Sequence, residues 1–143
     1  MTPDPTEEIV EHLFGLVDRL RVGFEATAAD FDLSVVQAKA LRHLAQVGPV
    51  PMRELACRLR CDASNVTGII DRLERRGLVE RRASPSDRRI KSLVTTHQGD
   101  EVARALWVEV RARALALLDL TDDERATLVS LLRRTDPTPL AVS

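Results

Sequence analysis

Asp62-Ala63-Ser64-Asn65-Val66-Thr67-Gly68-Ile69-Ile70-Asp71-Arg72-Leu73-Glu74-Arg75-Arg76-Gly77-Leu78-Val79-Glu80-Arg81 contains a change of period. Val66, Ile69, Ile70 and Leu73 recur at i, i+3, i+4 and i+7, which puts them on one face of a helix. Asp62 is a good N-cap, and Gly77 supplies the left-handed residue that ends the helix, with Leu78 able to fold back on Leu73. After Gly77 the pattern turns β-like, in Leu78 to Ala83 and Ile90 to Thr95. Between these runs lies Ser84-Pro85-Ser86-Asp87-Arg88-Arg89, which reads as a turn, so the pair is a hairpin. Upstream, Pro51 suits the first turn of a short helix whose Leu55, Ala56 and Leu59 face inward, and Arg60-Cys61-Asp62 links it tightly to the next. Two short helices joined this way and followed by a basic hairpin form a winged helix-turn-helix.

Outward from this centre the chain is helical. Ile9, Val10, Leu13, Phe14, Leu16, Val17, Leu20 and Phe24 recur at helical spacing over a broad arc between Glu7 and about Ala29, which predicts more than one packing partner. Ser34 with Gln37 forms a capping-box pattern, and Val36, Ala40, Leu41, Leu44 and Val47 carry a second helix to Gly48-Pro49. Thr96 caps an Ala- and Leu-rich helix to about Leu118; Thr121 with Glu124 caps a last one that ends before Pro137. The expected fold is mainly α, of class α+β: five or six helices with a two-stranded β-wing inserted.

At 143 residues the chain is long enough for one hydrophobic core, so a single domain over 1–143 is expected. No apolar run approaches the roughly 20 residues of a membrane-spanning helix, and the acidic start lacks the features of a signal peptide. A soluble, cytoplasmic protein with no membrane partner is the expectation. The net charge of -1 is unevenly assembled. Residues 51 to 91 hold eleven Arg or Lys against six Asp or Glu, while residues 1 to 50 sum to -4 and residues 92 to 143 to -2. Basicity confined to the helix-turn-helix suits a face that meets polyphosphate while the rest stays soluble and self-associating.

With the apolar stripe of the second short helix buried, Ser64, Gly68, Asp71 and Arg75 point outward, flanked by Asn65, Thr67 and Arg72. This face is small and polar near its N-terminus, so it can approach the major-groove floor, with Ser64, Asn65 and Thr67 bonding base edges or phosphates. Arg72, Arg75 and Arg76 fall nearer the sugar-phosphate rails, as do Arg81 and Arg82 at the base of the hairpin; Arg53 on the preceding helix joins this DNA-binding set. At the tip Arg88 and Arg89 are long enough to enter a minor groove, and Asp87 can orient one guanidinium. Asp71 would repel phosphate, and pairing with Arg75 at i+4 is the expected compensation.

Residues 62 to 81 resemble the recognition helix of the MarR (multiple antibiotic resistance regulator) family of winged-helix repressors and activators. Asp87-Arg88-Arg89 resembles its wing signature, and Thr96-His97-Gln98-Gly99 the Thr-x-x-Gly that opens its following helix. Thr95 stands where the family usually has Leu. The resemblance in order and lengths spans residues 7 to 135, with its specific part from Leu55 to Gly99. It implies dimerisation helices at 7–29 and 98–135 around a DNA-binding lobe at 33–96. It further implies a homodimer on a near-palindromic operator in double-stranded DNA, and control by a small aromatic or hydrophobic ligand between the dimer helices and the lobe. Phe14, Phe24, Phe31, His43 and Trp107 are candidates for that cleft, although aromatic residues at helical spacing also build cores.

Rival chemistries find less support. Cys57 and Cys61, the only cysteines, lie four residues apart near the turn before the recognition helix, where oxidation could shift DNA affinity. The peroxide-sensing branch of the MarR family carries its reactive cysteine in the first helix, where this chain has none, and Cys61 beside Leu59 reads as a small buried hydrophobe. His12, His43 and His97 are scattered without metal-ligand spacing, so no metal site is expected and no cofactor is implied. There is no Gly-rich phosphate loop, nucleophile elbow or paired His-Glu motif, so the chain does not read as an enzyme. A winged helix that docks protein is the alternative from another class, since fold does not fix function. RNA is disfavoured by 3% aromatic residues, none of them in the basic segment.

Overall fold

The computed structural model of the chain describes residues 4–84, 87 and 90–135. Its elements are helix α1 (Pro5–Asp30), α2 (Val35–Val47), strand β1 (Val50–Pro51), α3 (Met52–Leu59), α4 (Ala63–Arg75), strands β2 (Val79–Ala83) and β3 (Lys91–Thr95), α5 (His97–Leu118) and α6 (Asp122–Thr135). Six helices with an inserted hairpin match the expected order. No helix among the described residues is long and apolar enough to cross a membrane.

The capping signals form as local hydrogen bonds. Ser34 Oγ accepts from Gln37 N–H at 3.2 Å while Gln37 Oε1 accepts from Ser34 N–H at 2.9 Å. Thr96 Oγ1 accepts from Gly99 N–H at 3.0 Å, and Thr121 and Glu124 make the corresponding exchange at α6. That backbone bond lowers the Glu124 pKa, with the Thr121 hydroxyl adding to it. Gly77 closes α4 at φ 67°, with its N–H donating to the Glu74 carbonyl and Leu78 N–H to Leu73. This is the predicted Schellman ending. Asp62 does have the extended backbone of an N-cap, but its carboxylate accepts no capping bond.

The expected two-stranded wing forms from β2 and β3, and a short third strand joins its sheet. The sheet has three antiparallel strands in the order β1-β3-β2. Val50 pairs with Leu93 and Pro51 with Ser92, while β2 runs from Val79 opposite Thr95 to Ala83 opposite Lys91. Two residues carry no visible alternation, and Pro51 has no N–H to donate, so β1 leaves no pattern in the sequence. Pro51 accordingly stands as the residue before α3 rather than within its first turn.

One continuous core holds the helix-turn-helix to its support. Leu41 and Leu44 of α2, Leu55 of α3, Val66, Ile70 and Leu73 of α4, Leu93 of β3 and Leu106 of α5 are all essentially sealed from solvent. Fully burying each such side chain contributes about 1.5–3 kcal/mol, so the apolar stripe decides which face of α4 turns inward and which is left to solvent. The terminal helices are different. On α1 Phe14 is 72% and Val17 61% exposed, and Val108, Leu115, Val129 and Leu132 stand open on α5 and α6. This is the physical content of the broad apolar arc: the chain alone does not cover it.

Candidate nucleic-acid interface

α4 presents the face predicted for it. Val66, Ile70 and Leu73 are buried and Ile69 half-buried, while Ser64, Asn65, Thr67, Gly68, Asp71, Arg72 and Arg75 are exposed. A Cβ added at Gly68 would meet nothing within 4 Å, so the middle of this face is an open floor at backbone level. Thr67 Oγ1 donates to the Ala63 carbonyl at 2.9 Å, which leaves the hydroxyl oxygen as an acceptor. Arg53 on α3 and Arg82 on β2, two elements that pack against α4, are exposed, and Arg82 pairs with Glu80. Exposed pairs of this kind contribute about 0–1 kcal/mol, so phosphate can compete for the guanidinium.

Two arginines assigned to phosphate by sequence are engaged elsewhere. Arg81 is only 24% exposed; it bonds Asp71 at 2.7 Å and also pairs with Glu74, tying β2 to α4. Asp71 is therefore neutralised from the wing and not by Arg75, whose Nε instead donates to the Asp71 backbone carbonyl at 3.3 Å. The i+4 rule misses this because only the Gly77 turn brings β2 back along α4. Arg76 donates to the carbonyls of Asp32 at 2.6 Å and Phe31 at 3.0 Å, in the turn between α1 and α2. At the wing, Asp87 is exposed and its carbonyl accepts from Ile90 N–H at 3.0 Å; Arg88 and Arg89 lie outside the described residues.

A cleft of about 850 Å³ opens between α1, α2, α3 and α5. Phe24, Leu59 and Trp107 give it apolar walls; Arg19, Lys39, Arg42, Arg58, Arg60 and Arg113 bring six cations to it with no acidic lining residue. The Arg42 guanidinium sits over Trp107, 3.3 Å from the ring centroid. Burial, then the Arg58 charge, lowers the Arg42 pKa, and the same two causes lower that of His43 against a smaller opposing effect of Glu54. Arg42 Nε and His43 Nε2 are buried with no hydrogen-bond partner. Of the five residues proposed for the cleft, Phe24, His43 and Trp107 line it. Phe14 stands on the open face of α1, and Phe31 lines a second, shallow hollow against α5. The basic lining escaped sequence reading because its six cations come from four separate helices or their ends.

Both thiols are free: Cys57 is exposed, and Cys61 is half-buried with Sγ donating to the Leu59 carbonyl at 3.4 Å. No group of three or more His, Cys, Asp or Glu among the described residues is arranged to hold a metal ion.

A helix-turn-helix backed by a three-stranded sheet, with an open polar face on its second helix, defines a winged-helix protein. Residues 33–91 match the sequence model described as MarR family. Over 132 residues the chain is 30% identical to the HTH-type transcriptional repressor NicR of Pseudomonas putida, covering 92% of this chain and 84% of NicR. It belongs to the MarR family. It is also 31% identical over 98 residues to the uncharacterised HTH-type transcriptional regulator YfiV of Bacillus subtilis, spanning 68% of this chain and 61% of YfiV. Among solved structures, a mutant of S. aureus MepR bound to an oligodeoxyribonucleotide shares the fold at a TM-score of 0.65 and 19% identity, over 88% of this chain and 94% of that one.

Proposed function

We propose that the chain is a transcriptional repressor that binds a near-palindromic site in double-stranded DNA as a homodimer and releases it in response to a small ligand. The observation that carries this reading is the exposed face of α4, small and polar at Ser64, Asn65, Thr67 and Gly68 and basic at Arg72 and Arg75, with Arg53 and Arg82 exposed on the adjoining α3 and β2. Its open floor at Gly68 supports close approach to base edges, and its cations suit the rails on either side. The oligonucleotide bound by MepR and the name of NicR support the same assignment. The exposed apolar residues of α1, α5 and α6 support dimerisation, since exposed patches on this scale mark interaction surfaces. The cleft is the ligand site; its aromatic walls and predominantly basic lining fit a flat molecule bearing an acidic group.

Selection of duplexes from a randomised pool tests the reading directly. It should return a two-fold repeat with half-sites about one helical turn apart. Asn65→Ala and Thr67→Ala should then relax preference at particular bases, whereas Arg89→Ala should weaken all duplexes alike. The protein-docking alternative predicts no log-log salt dependence on duplex; DNA binding predicts a slope of about -0.9 for each phosphate contacted. Titrating 2-naphthoate and its neutral alcohol against Trp107 fluorescence, with and without duplex, tests the cleft: the acid should bind in preference and weaken DNA binding.

A further inference from the structure

We infer that the turn Asp30–Asp32 between α1 and α2 is a joint that sets where the recognition helix stands relative to the terminal helices. Arg76 is the positioning residue that locks it. The inference rests on the dimeric, duplex-binding reading above.

Helix α1 ends with Asp32 in the left-handed conformation at φ 55°, Asp32 N–H donating to Ala29 and Leu33 N–H to Ala28, both at 2.9 Å. This ending leaves the Phe31 and Asp32 carbonyls facing out of the helix. The last turn of α1 carries no basic residue of its own, although a helix C-terminus attracts positive charge. Arg76 supplies it from 44 residues away in sequence, Nη1 to Asp32 and Nη2 to Phe31. A planar fork suits two adjacent acceptors better than the point charge of a lysine. Arg76 also sits at the end of α4, immediately before Gly77, where the Schellman bonds hold the backbone. A fixed stem therefore grips a fixed turn.

The other side of the turn carries an ion pair to α5. Arg113 of α5 donates to the Asp30 carboxylate at 2.6 Å and to Glu109 at 3.0 Å, and these two bonds raise its pKa. The turn thus links α4 through Arg76 to α5 through Arg113, and α5 bears part of the apolar surface that a second copy would cover. In a dimer, tilting the lobe at this joint changes the separation of the two recognition helices. An operator lengthened by one base pair moves its half-sites apart by about 3.4 Å and rotates them by about 35°, so a locked joint rejects it and a loosened joint tolerates it.

The test measures affinity of the full chain for the duplex recovered by selection and for the same duplex with one base pair inserted at its centre. Arg76→Ala should weaken binding to the first by about tenfold, shrink the penalty for the insertion, and leave the salt slope as in the wild type. Arg76→Lys, which keeps the charge, should fall between. Asp30→Asn should also shrink the insertion penalty, although loss of an acidic charge by itself favours binding to a polyanion. A salt slope reduced by about 0.9 in Arg76→Ala with the insertion penalty unchanged would make Arg76 a phosphate contact and overturn the joint. So would tighter binding of Asp30→Asn to both duplexes, an arm that stands even where Arg76→Ala fails to fold. A wild-type chain that is monomeric or recovers no duplex overturns the parent reading before any variant is made.

Discussion

Gly99→Ala sets two familiar effects against each other at the start of α5. In an exposed helix interior, exchanging Gly for Ala gains about 1 kcal/mol from backbone entropy and helix propensity. Here the new Cβ would lie 1.9 Å from the Leu78 carbonyl oxygen and 2.9 Å from its carbon, about 1.5 Å short of ordinary contact. Both atoms are backbone, so no side chain can swing aside. Leu78 is 1% exposed, its N–H is bound to Leu73, and the threatened carbonyl accepts from Thr96 N–H at 3.1 Å. Either that bond breaks or α5 moves off the end of α4. Overpacking costs about 1–3 kcal/mol and the lost hydrogen bond about 1, which outweighs the propensity gain and leaves a net loss of about 1–3 kcal/mol. In a chain of this size each kcal/mol lost lowers Tm by roughly 3–5 °C. Circular dichroism melts at matched protein concentration, with urea titrations to obtain the free energy, measure it. An unchanged or raised Tm would refute the reasoning, since it would mean that the backbone of the wing yields cheaply.

Gly68→Ala is the counterpart: with nothing within 4 Å of its Cβ, it should stabilise the fold by about 0.5–1 kcal/mol while weakening duplex binding, as paired melts and mobility shifts would detect. Arg81→Met should cost about 1 kcal/mol of stability and weaken DNA binding by leaving the Asp71 and Glu74 carboxylates uncompensated. Adding Asp71→Asn should recover part of that affinity in a double-mutant cycle, a rescue that loss of a phosphate contact would not allow. The lowered pKa of His43 makes stability fall as pH drops through the unfolded value of about 6.5, because the unfolded chain takes up a proton that the folded chain refuses; below the folded pKa the loss levels off. Urea midpoints between pH 7.5 and 5 should show this slope flattened in His43→Gln.

Helix-scale features were legible because their causes are local. The Ser34–Gln37 and Thr121–Glu124 boxes, the left-handed Gly77 and the stripe Val66-Ile69-Ile70-Leu73 each depend on residues within two turns, and each forms as read. Sequence reading found the exposed face of the candidate site where it lies on one helix, from Ser64 to Arg75. It failed at Arg76 and Arg81, which look like two more cations in a basic run. Their partners lie 44 to 45 and seven to ten residues away, across turns whose direction no spacing rule encodes.

By itself, the sequence determined the order of helices, the place of the hairpin, the face of α4 turned to solvent and the family to which these belong. Periodicity and capping are short-range and survive in one dimension. Only the tertiary structure decided which arginines remain exposed beside that face, which lock α4 to the wing and to the end of α1, and how cations from four helices gather around Trp107. Charge acts through space, and its partners are chosen when the core brings distant turns together.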